Sequence, residues 1–253
     1  MIGKVLKYDI RSIGKTLLPV YGVTVLLCAF TRLMVFLETY SSVFGMFGML
    51  TNVFSLIAVA GSVALTLFIC VRRFYVHLFK EQGYLTNMLP VKLETLVFSK
   101  FAVSLLFSVG AAALAIGSLA LMYASLELTP NITEFVNVVK SVFPIFFVLI
   151  ILSLYLYQSG AYAAYSIGQR SGRNKIGSAF AAYLLLYFVY QIMNLIVLLV
   201  VYFAWRDLWT LLEQNDMHAV KNLLYVAAIP TVIANIGCYF VSVRFLKKQM
   251  DLE

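Results

Sequence analysis

The residues best suited to metal binding or nucleophilic chemistry are three cysteines (Cys28, Cys70, Cys238) and two histidines (His77, His218). Each cysteine falls inside an apolar run with no second cysteine at ligand spacing, and the histidines lack the HExxH pattern of a zinc hydrolase. The cysteines read as packing or lipid-facing residues, and no metal site is expected. Gly14, Lys15 and Thr16 spell the end of a phosphate-binding loop, but Asp9 stands where its first glycine belongs and no soluble strand leads into it. No convergent Asp, Glu, His, Cys or Ser set lies in the apolar segments, so no catalytic residue is assigned and the chain reads as non-catalytic. The ordered polarity that remains is uncharged. Asn52, Ser55, Ser62 and Thr66 share one helical face, and Tyr183, Tyr187, Tyr190, Gln191 and Asn194 share another. Such stripes either line a path or hydrogen-bond between helices.

The elements that must carry these stripes are membrane helices. Of 253 residues, 62% are apolar and 12% charged, against roughly 25% charged in an average soluble domain, which excludes both a soluble fold and disorder. Six stretches have the roughly 20 apolar residues that cross a bilayer: 16–37, 46–71, 101–126, 141–167, 176–204 and 223–243. The first is too long for a cleavable signal and is expected to stay as an anchor. Fifteen of the 19 Lys and Arg fall before span 1, between spans 2 and 3, between spans 4 and 5, and after span 6. The other side carries Arg32, Lys140, Arg206 and Lys221 with most of the acids, so the positive-inside rule places both termini in the cytoplasm. Tyr40, Tyr123, Trp205, Trp209 and Tyr225 fall where the outer aromatic belt belongs. The surplus of basic charge is therefore topological, and no nucleic-acid partner is expected.

Residues 1–15 set Ile2, Val5, Leu6, Ile10 and Ile13 against Lys4, Lys7, Arg11 and Lys15 at helical spacing. That pattern predicts an amphipathic elbow helix along the inner leaflet, turning into span 1 near Pro19. The segment 72–100 is long, cytoplasmic and too apolar for a simple connector. Phe74, Leu78 and Phe79 with Arg73, His77, Lys80 and Glu81 predict a short amphipathic helix over 74–82, ended by Gly83, and a second follows Pro90 into span 3. Tyr84, Leu85, Met88 and Leu89 suggest a docking surface.

The string Phe79, Lys80, Glu81, Gln82, Gly83, Tyr84, Leu85, Thr86, Asn87, Met88, Leu89, Pro90 and Val91 resembles the "EGYLT, then LPV" segment of six-span permease subunits in type-2 bacterial ABC exporters. Gln82, between the glutamate and the glycine, is a departure from that pattern. The basic amphipathic N-terminus, span count and length are similar as well, so the resemblance covers the whole chain. It implies an all-α integral membrane fold: one permease domain over 1–253, with the elbow at 1–15, spans 1 and 2 within 16–71, a coupling loop at 72–100, spans 3 to 6 within 101–243, and a tail at 244–253. It implies a bacterial cell-membrane location, a second permease subunit (identical or a sibling), and separate ABC ATPase subunits that carry the ATP and Mg, leaving no cofactor in this chain. Coupling to the ATPase is assigned to Phe74, His77, Leu78, Lys80, Glu81, Gln82, Gly83, Tyr84 and Leu85. In that family the second and fifth spans tend to line the subunit interface and export path. That assigns Asn52, Ser55, Ser62, Thr66, Tyr187, Tyr190, Gln191 and Asn194 to a path for an amphipathic or hydrophobic cargo such as an antimicrobial peptide or other antibiotic.

Two other classes fit less well. A free-standing secondary transporter or channel lacks ion-relay residues and a repeat between spans 1–3 and 4–6. A membrane-embedded enzyme lacks a catalytic set. Elsewhere, Ser104, Ser108, Ala111, Ala115 and Ser118 in span 3, and Gly160, Ala164 and Gly168 in span 4, read as packing seams. Pro230 with Thr231 and Asn235 suggests a local kink in span 6.

Overall fold

The computed structural model describes residues 2–38, 40–79, 93–123, 130–170, 174–204 and 217–250. Among these, six helices appear in order: α1 (Ile2–Leu37), α2 (Ser42–Phe79), α3 (Leu93–Tyr123), α4 (Pro130–Gly168), α5 (Lys175–Ala204) and α6 (Met217–Met250). Each contains a stretch long and apolar enough to cross a membrane. At 1.5 Å per residue, the 36 residues of α1 reach about 54 Å, well beyond the ~30 Å hydrocarbon layer.

That excess length changes two expected boundaries. Residues 2–37 form one helix, with Pro19 inside it, rather than a separate elbow that ends before span 1. A proline removes one helical hydrogen bond but does not by itself end a helix, and neighbouring contacts in membrane helices compensate for it. Likewise, 74–79 is not the start of a detached surface helix but the last turns of α2, because nothing between Val71 and Phe79 breaks the helix. The second amphipathic stretch is continuous with span 3 from Leu93 onward. Residues 80–92, with most of the motif, lie outside the described residues.

The chain divides into two compact units. The first comprises Met1–Cys70 and Ala102–Leu128. Its contacts are built on aliphatic and sulfur-bearing side chains. Ile13 and Leu17 of α1 pack with Cys70 of α2 and Val103 of α3, and Cys28, Val59 and Met122 form a second buried cluster. Hydrogen bonds cross from α1 to α2: Thr31 Oγ1 meets Ser55 Oγ at 2.7 Å and the Thr51 carbonyl at 3.1 Å, and Tyr21 Oη meets Thr66 Oγ1 at 2.8 Å.

The second unit comprises Val71–Phe101 and Thr129–Glu253. Here α4 packs along both α5 and α6, while α5 and α6 touch less extensively. Small residues set the closest approach: a Cβ added to Gly168 would sit 2.6 Å from the backbone and Cβ of Ala179, and Ser178 Oγ donates to the Gly168 carbonyl at 2.8 Å. Because the obstruction includes backbone atoms, Gly168→Ala should separate α4 from α5 and cost about 1–3 kcal/mol, read as a lower midpoint in a denaturing-detergent titration. Ser159, Asn235 and Thr231 form a buried polar tie. Ser159 donates to Asn235 Oδ1 at 2.8 Å, and Asn235 Nδ2 donates to the Thr231 carbonyl at 2.9 Å and to the Leu152 carbonyl at 3.3 Å. Those bonds lie beside the buried Pro230.

Candidate functional site

Two features of the second unit bear on function: an aromatic cluster and a cavity. The cluster begins with Phe74, near the end of α2 and 1% exposed. Its ring stacks on Tyr162 of α4, with centroids 4.0 Å apart and planes within 12°. Phe101 of α3 meets the same Tyr162 edge-on at 5.1 Å and Tyr239 of α6 at 5.2 Å. Tyr75 adds a contact with Tyr165 at 5.0 Å. Buried aromatic pairs of this geometry each contribute about 0.5–1.5 kcal/mol beyond area burial. The C-terminal part of α2 and the N-terminal part of α3 thus pack on α4 and α6. Lys100 Nζ, almost fully buried, lies 3.3 Å from His77 Nδ1 and adds a polar link between α2 and α3.

This geometry corrects part of the expected docking surface. Phe74 and Leu78 are buried, so they cannot offer their side chains to another protein. The apolar stripe that suggested a docking helix is instead satisfied within the chain. His77 is half-buried. Lys80, Glu81, Gln82, Gly83, Tyr84 and Leu85 lie outside the described residues.

The α2 stripe also resolves toward packing. Ser55, Ser62 and Thr66 are buried. Ser62 donates to the Val59 carbonyl at 2.8 Å, and Thr66 donates to the Ser62 carbonyl at 2.7 Å while meeting Tyr21. Short hydroxyl side chains can satisfy themselves on their own helix, and α1 supplies partners for the outer two. Asn52 is half-buried. Ser55→Ala should therefore change stability by only about 0.6 kcal/mol, the average for interhelical hydrogen bonds in membranes, read in a denaturing-detergent titration.

The α5 stripe has a different environment. Of the whole helix only Ala179 is buried. Tyr187, Tyr190 and Gln191 line a cavity of about 130 Å³ together with Tyr183 and Leu186; α4 supplies Ser153, Leu156, Tyr157 and Gly160, and α6 supplies Ala234 and Cys238. Gln191 Nε2 donates to the Tyr187 hydroxyl at 2.7 Å, and Tyr190 Oη lies 3.2 Å from Thr231 Oγ1. Asn194 Nδ2 bonds to the Tyr190 carbonyl at 3.0 Å, and Asn194 does not line the cavity. The α4 wall was not anticipated, although residues 153, 156, 157 and 160 follow the i, i+3, i+4, i+7 period of a single face. Cys238, read as an isolated packing residue, is the wall of this space. Among the described residues no cluster of three His, Cys, Asp or Glu is placed to hold a metal ion.

Six long apolar helices with lipid-compatible surfaces define a multi-pass integral membrane protein. Comparison with protein-family models, curated proteins and solved structures finds no match to this chain.

Proposed function

We propose that the protein is the permease subunit of an ATP-driven ABC exporter in a bacterial cell membrane, working with a second permease subunit and with separate ATPase subunits that bind ATP and Mg. The observation that carries this reading is the aromatic packing, on α4 and α6, of the two helices that flank the 80–92 segment. A connector that only joins two spans needs no such anchorage. A lever that passes a partner's movement to the bundle does, because displacement at its ends must be felt by α4 and α6 instead of being lost in side-chain slack. Phe74 and Leu78 hold the lever, while the contact with the ATPase falls to Glu81, Tyr84 and their neighbours.

Other features support the same arrangement. The 15 basic residues on one side favour cytoplasmic termini, which puts the 80–92 segment where an ATPase can reach it. The basic and apolar stripes of the first fifteen residues suit the inner leaflet even as part of a continuous helix. The uncharged polar wall of α5 suits an amphipathic or hydrophobic cargo. The chain itself does no covalent chemistry in this scheme. In proteoliposomes holding the chain with its ATPase, efflux of such a cargo should require hydrolysable ATP. Equal flux without ATP would support a free-standing transporter instead.

A further inference from the structure

The cavity between α4, α5 and α6 has a size, depth and polarity that select a ligand. Its volume of about 130 Å³ is close to the ~150 Å³ of an engineered apolar cavity that takes benzene, and below the ~300–1,000 Å³ of sites for drug-sized molecules. Along α5 its lining spans 183–191, about 12–24 Å from the start of a helix about 45 Å long. Its α4 and α6 linings, 153–160 and 234–238, also lie well inside their helices. A lipid headgroup, held at the interface, does not reach that depth. No Asp, Glu, Lys, Arg or His among the described residues lines the space, so a charged ligand would lose its hydration without compensation.

The polar atoms narrow the choice further. The bond between Gln191 and Tyr187 uses one amide proton and an acceptor site on the tyrosine oxygen. Among the described residues neither side chain makes a second side-chain hydrogen bond, which leaves the Gln191 carbonyl as acceptor and the Tyr187 hydroxyl proton as donor. A ligand hydroxyl or carboxamide offers the matching donor and acceptor together. We propose that this cavity binds an uncharged, membrane-soluble molecule with one ring or a short branched chain and a single hydroxyl or carboxamide, held by Tyr187 and Gln191. The site lies within one chain and needs no ATPase, so it stands independently of the exporter reading.

The test uses the full chain in lipid nanodiscs with 4-fluorophenol as probe, followed by 19F NMR against empty nanodiscs. Saturable broadening beyond that of empty discs is expected, with fluorobenzene about tenfold weaker for lack of the hydroxyl. Gln191→Leu should weaken fluorophenol about tenfold and leave fluorobenzene unchanged. Gly160→Leu should abolish both, because a Cβ there has room beside the Tyr183 ring at 3.5 Å and the rest of the side chain then fills the space. Broadening equal to that of empty discs, or fluorophenol binding unaltered by Gln191→Leu, would overturn the proposal. Gln191 is exposed at the surface of α5, so its variant keeps the test valid if Gly160→Leu does not fold.

Discussion

Replacing Phe74 with alanine is expected to destabilise the protein by about 3–5 kcal/mol, the range for truncating a fully buried aromatic side chain. The ring is 1% exposed and touches α3 and α4 through Phe101 and Tyr162, so its loss leaves a cavity that no exposed side chain can readily fill. Tyr162→Phe keeps the stacked ring and should cost only the hydroxyl's share, about 0.5–1.5 kcal/mol, whereas Tyr162→Ala should match Phe74→Ala. Because the two rings share one contact, the double alanine variant should cost less than the sum of the singles by about 0.5–1.5 kcal/mol. Denaturing-detergent titration of the four proteins measures this. A loss under about 1 kcal/mol for Phe74→Ala would mean that the end of α2 is not anchored.

The second large effect concerns function with stability held constant. On the proposed exporter reading, replacing Glu81 and Tyr84 together with alanine should leave the bundle folded but reduce ATPase stimulation or assembly. Coupling free energies of 1–3 kcal/mol correspond to about 5–150-fold, and removal of two contacts should fall within that range. The contrast with Phe74→Ala separates grip from lever: the first pair changes the partner's response alone, the second residue changes the bundle. A double variant with full stimulation would move the docking contact elsewhere on the chain.

The spans were legible because nothing else accounts for six apolar runs of that length, and the structure places a helix on each. Their ends were less legible. Hydropathy marks where lipid stops, whereas a helix stops only at a breaker, so α1 begins at Ile2 and α2 runs on to Phe79. The polar stripes kept their phase, but phase does not name the neighbour. Ser55 and Thr66 pair with Thr31 and Tyr21, while Tyr187 and Gln191 meet a cavity, and the spacing of the two sets is equally helical. Phe74 shows the same limit: its amphipathic stripe was real, yet the surface that satisfies it is Tyr162, which no local pattern reveals. Cys238 and Gly160 gained a role only through α5, whose polar face gave them a shared space.

The claim that the chain is one part of an ATP-driven machine is tested most directly by what accompanies it. The tagged chain should be isolated from its native membrane in mild detergent and its companions identified by mass spectrometry. A nucleotide-binding ATPase in about equal amount, released by the Glu81→Ala, Tyr84→Ala double variant, is the predicted result. A chain that purifies alone, moves its cargo in liposomes and does not respond to ATP would contradict the account.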